Sequence, residues 1–379
     1  MPFAQEVAGR LRPKVVAGKE DSPEQRLLKT LRMVAPGTPL YEGLENVLRA
    51  RTGALIVVGD SEAVLKLVNG GFRIDTEMHP SYLYELAKMD GAILLSSDAR
   101  RILYANVQLT PDPLIPSFET GTRHRTAERV AIQTGELVIA ISQRRNVITL
   151  YSGNLKYVLH DVGVILAKAN QALQTLERYK LVLGQALNNL TELEFEDLAT
   201  AGDVVTVIQR AQMVSRIARE IERYVSELGS EGRLVDMQLE ELMVDMDEGQ
   251  LVIRDYWIPK DGKEDLAAGA AQLWENLQGW SSEDLLDMGA VLKAMGYVTA
   301  GVSADTPLTP RGFRILSKIP RLPMPVIENM VTKFGTLPRI LEASIESLDE
   351  VDGIGEVRAR SIKEGLRRLR EQALIERHL

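Results

Sequence analysis

The chain has no cysteine in its 379 residues, which excludes a disulfide framework, a thiol nucleophile and a zinc–thiolate site. Histidine is scarce, with copies only at 79, 124, 160 and 378, so little imidazole is available for metal or acid/base work. No apolar run approaches the roughly 18–20 residues that span a bilayer, the longest being short stretches such as 54–58 and 92–95. Residues 1–26 alternate charges with single apolar side chains and lack the apolar block of a secretory signal, so a cytoplasmic location is expected. What remains is ordinary for a folding chain, with 45 % hydrophobic and 26 % charged residues. At about 150 residues per domain, the length predicts two or three domains.

Net charge is −8, which taken alone speaks against a polyanion partner. The average conceals a gradient. From Thr309 onward there are 13 Lys and Arg against 10 Asp and Glu. Within 358–370, Arg358, Arg360, Lys363, Arg367, Arg368 and Arg370 face the single acid Glu364. A basic C-terminal module on an acidic body is one interpretation, and a solvated helix face is the other.

Residues 1–23 lack any period and read as a flexible tail. Short helical patterns at 24–33, 40–51, 63–69 and 82–89 then alternate with β-rich runs at 54–58, 92–95, 102–109, 137–141, 147–151 and 157–159. These predict an α/β domain with a mixed, twisted sheet over 24–160. The pattern then turns purely helical. Leu166, Ala169, Leu173, Leu176, Lys180, Leu183, Leu187 and Leu190 recur at steps of three and four, and Val204 to Leu228 repeats the spacing. The two helices should pair as a long hairpin in a spine domain over 161–305, with Lys180 marking either register or an oligomer contact. A third helix is expected over 234–246, and two more over 265–277 and 283–295. The stretch 251–258 looks strand-like but is isolated, and stays unassigned. After a linker at 296–307, Thr309-Pro310 offers a cap and a first-turn proline to open a module of short helices over 306–379.

Three motifs carry chemistry. In Val351-Asp-Gly-Ile-Gly355, between two helices, Gly353 and Gly355 allow a tight turn that brings backbone N–H groups to a helix start, where an anion is favoured. With Arg358, Arg360 and Lys363 one or two turns on, this suits a nucleic-acid phosphate, held without reading bases. Met89-Asp90-Gly91-Ala92 places a carboxylate where a helix stops and a buried strand begins, with Gly and Ala leaving room for a flat ligand, although Asp-Gly is also a plain turn signal. In Gly121-Thr-Arg-His-Arg-Thr-Ala-Glu-Arg129, Thr126 is placed to cap the following helix. Arg123, His124 and Arg125 converge at its positive end, a set that suits a polyphosphate, with a solvated basic turn as the alternative.

The 351–355 segment resembles the helix-hairpin-helix DNA-binding family, and 309–369 resembles the double form of that motif. The first hairpin, Ile319-Pro-Arg-Leu-Pro323, departs from the pattern in having no glycine. Residues 24–160, on Asp90-Gly91-Ala92 and Arg123-His124-Arg125, resemble the diadenylate cyclase domain. The order of the parts resembles the DNA integrity scanning family of bacterial diadenylate cyclases. That resemblance implies condensation of two ATP into cyclic di-AMP and two pyrophosphates, with Mg²⁺ or Mn²⁺, at a two-fold interface in an octamer that also binds branched DNA such as a Holliday junction. It further implies Asp90 as catalytic residue and metal ligand. Gly91, Ala92 and Leu109 would lie beside the nucleoside, and Thr122, Arg123, His124, Arg125, Thr126, Ser142 and Arg145 beside the phosphates. Leu109 could equally be core, and Ser142 and Arg145 plain loop residues. The rival is a DNA-binding structural protein whose α/β domain senses ATP without turning it over.

Overall fold

The computed structural model describes residues 23–244, 247–259, 265–298 and 301–376. The expected N-terminal tail lies outside them except for Pro23, which opens the first helix. The chain divides into two units: residues through Lys168 with Arg223–Leu234, and Ala169–Glu222 with Val235 onward.

In the first unit, helices α1 (Pro23–Met33) and α2 (Pro39–Arg49) precede strand β1 (Ala54–Val58). Thr38 caps α2 by accepting the Tyr41 N–H, and Pro39 sits at its first position, where a missing N–H costs nothing. Then follow α3 (Glu62–Leu65), β2 (Val68–Asn69), β3 (Phe72–Glu77), α4 (Pro80–Leu86), β4 (Ala92–Leu95) and β5 (Arg101–Leu109). After α5 (Thr122–Thr134) come β6 (Leu137–Ser142), β7 (Val147–Ser152) and β8 (Leu155–Val158). The strand order is β2-β5-β4-β1-β6-β7-β8, with β3 on the outer side of β5; β1 and β4 are parallel and the other pairs antiparallel. The expected mixed sheet is present.

Alternate residues of the central strands feed two apolar layers, which is why these strands read as unbroken hydrophobic runs. Ile56, Val58, Ile93, Leu95, Ile139 and Ile141 pack with Leu40, Leu44 and Leu83 of α2 and α4. Val57, Leu94, Val107, Leu109, Val138 and Ala140 pack with Ala127, Val130 and Ala131 of α5. Strand β3 escapes sequence detection because it is an edge strand with exposed and half-buried residues and no apolar alternation. The expected helix at 63–69 shrinks to α3, since the chain turns at once into β2.

Beyond the sheet, α6 (Val162–Glu196) runs 35 residues, about 52 Å at 1.5 Å per residue, and α7 (Ala201–Leu228) runs 28. The α7 end turns back to the α/β unit, where Glu227 accepts from Tyr157 Oη at 2.6 Å and from the His160 N–H at 3.1 Å. In the second unit the two helices bury the predicted seam, including Leu173, Leu176, Leu183, Leu187, Val207, Ala211 and Val214, and Arg210 donates to the Val182 carbonyl. Lys180 has a partner within its own chain. Its Nζ donates to Leu242 O at 2.6 Å, neutralising the last turn of α8 (Arg233–Leu242), which ends short of the expected 246.

Residues 251–258 are mostly helical: α9 (Glu248–Tyr256) is buried almost all round, through Gly249, Val252, Ile253, Arg254, Asp255 and Tyr256. Burial on every side erases the helical stripe, and a run rich in branched and aromatic residues then mimics a strand. After α10 (Leu266–Gln278), capped by Asp265, the expected 283–295 helix is two: α11 (Ser282–Leu286), capped by Ser281, and α12 (Met288–Ala294), which Asp287 caps by accepting from Gly289 and Ala290.

The C-terminal module contains α13 (Phe313–Ser317), α14 (Met324–Phe334), α15 (Leu337–Glu342), α16 (Ile345–Asp349) and α17 (Glu356–Glu376) around a core of Phe313, Leu316, Ile327, Met330, Leu337, Leu348, Ile354, Ile362 and Leu366. Thr309-Pro310 does not open α13. The cap is Asp255 of α9, whose carboxylate accepts from the backbone N–H of Gly312, Phe313 and Arg314 at 2.7, 2.6 and 3.0 Å. Among the described residues, no helix is long and apolar enough to cross a membrane.

Candidate functional site

Strand register gathers the Asp90 turn and the start of α5 at one end of the sheet. Ala54 opposes Ile141 and Ala92 opposes Val107, so the beginnings of β1 and β4 lie beside the ends of β5 and β6. Asp90 is exposed in the turn before β4. Gly91 has φ +89°, and a Cβ there would come within 2.9 Å of the Asn106 and Val107 backbone, so the close approach to β5 requires glycine. Ala92 is buried, and Leu109 lies in the apolar layer with only 9 % exposure.

Helix α5 begins at Thr122, with Gly121 as its N-cap; Thr126 lies inside the second turn and does not cap it. The first intrahelical bond runs from Arg125 N to Gly121 O at 2.9 Å, so the amides of Thr122, Arg123 and His124 are left pointing outward. Arg123 extends across Gly53, whose added Cβ would lie 2.0 Å from Nη1, and reaches the Ile141 carbonyl at 3.5 Å. Arg125 is exposed, with Nε 3.3 Å from Glu119 O. Ser142, half-buried at the end of β6, accepts the N–H of exposed Arg145 at 3.2 Å and closes the β6–β7 turn.

Around His124 is a network that sequence reasoning missed. His124 Nδ1 is 3.1 Å from Tyr151 Oη, which donates to Glu119 Oε1 at 2.8 Å, and Lys156 pairs with the same carboxylate. Burial pushes the Glu119 carboxyl up, but the hydrogen bonds from Lys156 and Tyr151 outweigh it and hold the group below its ordinary value. Burial pushes the Tyr151 hydroxyl well up, reinforced by Glu119, so it stays protonated. The one available signal was Glu119 itself, an acid three residues before Thr122 in a cationic segment.

In the C-terminal module, the turn between α16 and α17 has Gly353 at φ +84° and the Ile354 N–H bonded to Val351 O at 2.9 Å. The first hairpin repeats this backbone without glycine. Arg321 takes the left-handed position at φ +63°, and Leu322 N bonds Ile319 O at 3.3 Å. Pro323 stands where Gly355 does and removes an N–H, so the second hairpin keeps the fuller set of amides. Arg358 folds onto the Gly353 carbonyl and Arg360 pairs with Glu356 at 2.5 Å, both at the surface. Lys363 is half-buried and donates to Leu341 O at 2.7 Å, which straps α17 to α15 and uses one of its three N–H donors. If this turn holds nucleic-acid phosphate, Gly353→Pro, whose ring forbids a positive φ, should weaken duplex DNA binding at least about tenfold while the nucleotide end is untouched; filter binding with a thermal-melting control checks it.

The family model described as "DisA bacterial checkpoint controller nucleotide-binding" matches residues 41–155, and "DisA bacterial checkpoint controller linker region" matches 159–303. A DNA integrity scanning protein DisA of Carboxydothermus hydrogenoformans is 61 % identical over 92 % of this chain and 98 % of its own. The counterpart of Clostridium botulinum strain Loch Maree is 58 % identical over 93 % and 98 %. The chain belongs to the DisA family. A relative of the same name from Symbiobacterium thermophilum is 60 % identical over 93 % and 98 %. Among solved structures, DacA of Staphylococcus aureus shows a slight likeness, at 19 % identity over 36 % of this chain and 89 % of that one, with a TM-score of 0.28. The DisA nucleotide-binding region contains Asp90, Glu119, the 122–126 segment, Ser142, Arg145 and Tyr151, and ends one residue before Lys156.

Among the described residues, no three His, Asp or Glu side chains form a ready-made metal cage. The lone exposed Asp90 carboxylate fits Mg²⁺ or Mn²⁺, because such ions are commonly held by one or two carboxylates together with water and substrate phosphate oxygens.

Proposed function

We propose that the chain is a diadenylate cyclase that joins two ATP into cyclic di-AMP with release of two pyrophosphates, and that it binds DNA through its C-terminal module without reading sequence. The observation that carries this is the meeting of the Asp90 turn and the α5 start at one end of the sheet, within a DisA nucleotide-binding region. Arg123, Arg125 and the outward amides of 122–124 hold the triphosphate, with hydroxyls from Thr122 and Thr126 and further contacts from Ser142 and Arg145. Gly91, Ala92 and the exposed remainder of Leu109 border the nucleoside. Asp90 orients the 3′-hydroxyl and accepts its proton. Mg²⁺ or Mn²⁺ held at Asp90 would neutralise charge at the reacting phosphate.

The product is two-fold symmetric, so two protomers face each other across a two-fold axis and each supplies one ATP; an octamer built from such pairs is the assembly we favour. Chromatography of protein incubated with ATP and Mg²⁺ or Mn²⁺ should show cyclic di-AMP, and a reaction yielding none would overturn the cyclase assignment. Saturating Holliday-junction DNA should lower the rate; an unchanged rate with DNA demonstrably bound would sink the coupling of the two activities.

A further inference from the structure

Tyr151 is 1 % exposed, and its hydroxyl has two polar neighbours but only one proton. That proton points to Glu119, which the Lys156 ammonium keeps ionised and which is therefore an acceptor only. Tyr151 Oη must accept from its second neighbour, so Nδ1 of His124 carries a proton. A neutral imidazole has one N–H, which leaves Nε2 as a bare lone pair. Nε2 has no hydrogen-bond partner among the described residues. The groups around the ring are Glu119 and Tyr151 from the preceding loop and β7, Arg123 from its own helix, Arg145 from the β6–β7 turn and Lys156 from β8. Burial pushes His124 below the usual imidazole value; Glu119 pulls the other way, while Arg145, Arg123 and Lys156 add to the depression. In the free protein near neutral pH the ring is uncharged.

A lone pair cannot hold a phosphate oxygen, because both are acceptors. We infer that Glu119 and Tyr151 are positioning residues that fix His124 as the Nδ1–H tautomer, so that a triphosphate binds beside it with uptake of one proton at Nε2. The incoming anion supplies the charge that the free site lacks, and the Nδ1–H···Oη···Glu119 chain stabilises the imidazolium. This rests on residues 122–126 being the triphosphate site. The same chain gives an acid a place among phosphate-binding cations: Glu119 bears on the imidazole from its Nδ1 side, through Tyr151.

The test is calorimetric titration of the full chain with 3′-deoxy-ATP and Mg²⁺, which cannot be turned over, in buffers of different ionisation enthalpy at about pH 7.5. Wild type should take up close to one proton per nucleotide, and His124→Gln none. Tyr151→Phe keeps the packed ring and should lose at least half of the uptake, with affinity down about tenfold at about pH 7.5 and recovering toward about pH 6. Glu119→Gln separates this role from simple charge: removing an acid near the phosphates would tighten binding, whereas loss of the relay weakens it. Binding by wild type without proton uptake, or equal uptake in wild type and Tyr151→Phe, overturns the relay but leaves the triphosphate site standing. No binding at all overturns both.

Discussion

Asp90→Asn binds ATP as the parent protein does and forms cyclic di-AMP about 10²–10⁴-fold more slowly, if the carboxylate takes the 3′-hydroxyl proton. The substitution is nearly isosteric and removes only the charge and the basic oxygen. Asp90 is exposed, and none of the hydrogen bonds or ion pairs of the described residues uses its side chain, so stability should move by no more than about 0.5 kcal/mol. A fall in turnover then comes from the lost base or the lost metal ligand and not from unfolding. Initial rates by product chromatography, with calorimetric ATP affinity alongside, separate the two effects. Normal turnover removes Asp90 from the mechanism, and an inactive variant that has also lost ATP affinity shows it to be a binding group.

The second large effect is on stability. Arg314 of α13 is fully buried, with Nη2 2.5 Å from Glu194, Nη1 2.9 Å from Thr191 on the same helix α6, and Nη1 3.3 Å from Glu248 of α9. Glu194 is itself 0 % exposed and also accepts from Tyr256 at 2.9 Å. Arg314→Met keeps much of the volume but strands an ionised carboxylate in the interior, so it should cost about 3–5 kcal/mol. Pairing it with Glu194→Leu should restore part of that loss, because a packed apolar pair substitutes well for a buried ion pair while the Tyr256 hydroxyl is left without its acceptor. Denaturant unfolding of the two single variants and the double variant gives the coupling directly. A loss under about 1 kcal/mol for Arg314→Met would mean that water reaches Glu194 and that the network holds α6, α9 and α13 together only weakly.

The elements that sequence predicts best are those whose signal is local. Strands β1 and β4 appear with the expected bounds because they are buried on both faces and must be apolar throughout. The α6–α7 seam is equally plain, since heptad-like spacing has one physical cause. Failures have a shared origin in contacts between distant residues. The cap of α13 comes from Asp255, 57 to 59 positions away, so Thr309-Pro310 was a local signal that a stronger distant one displaced. The partner of Lys180, the Leu242 carbonyl at the end of α8, lies 62 positions away and leaves no local trace.

The candidate site divides in the same way. Arg123-His124-Arg125 stands out as a short run whose residue types suit a polyphosphate by themselves, whereas Asp90-Gly91-Ala92 is a plain turn signal in isolation and gains its meaning from the family resemblance. That they face the same end of the sheet depends on strand order, and the protonation of His124 depends on Tyr151, 27 residues on, and Glu119 across the loop. The residues in order thus supplied the inventory: an acidic turn, a cationic helix start, a helical spine and a basic terminal hairpin. Only the folded structure decided who touches whom, because register and helix docking minimise the energy of the whole core and leave no mark on any one stretch of the chain.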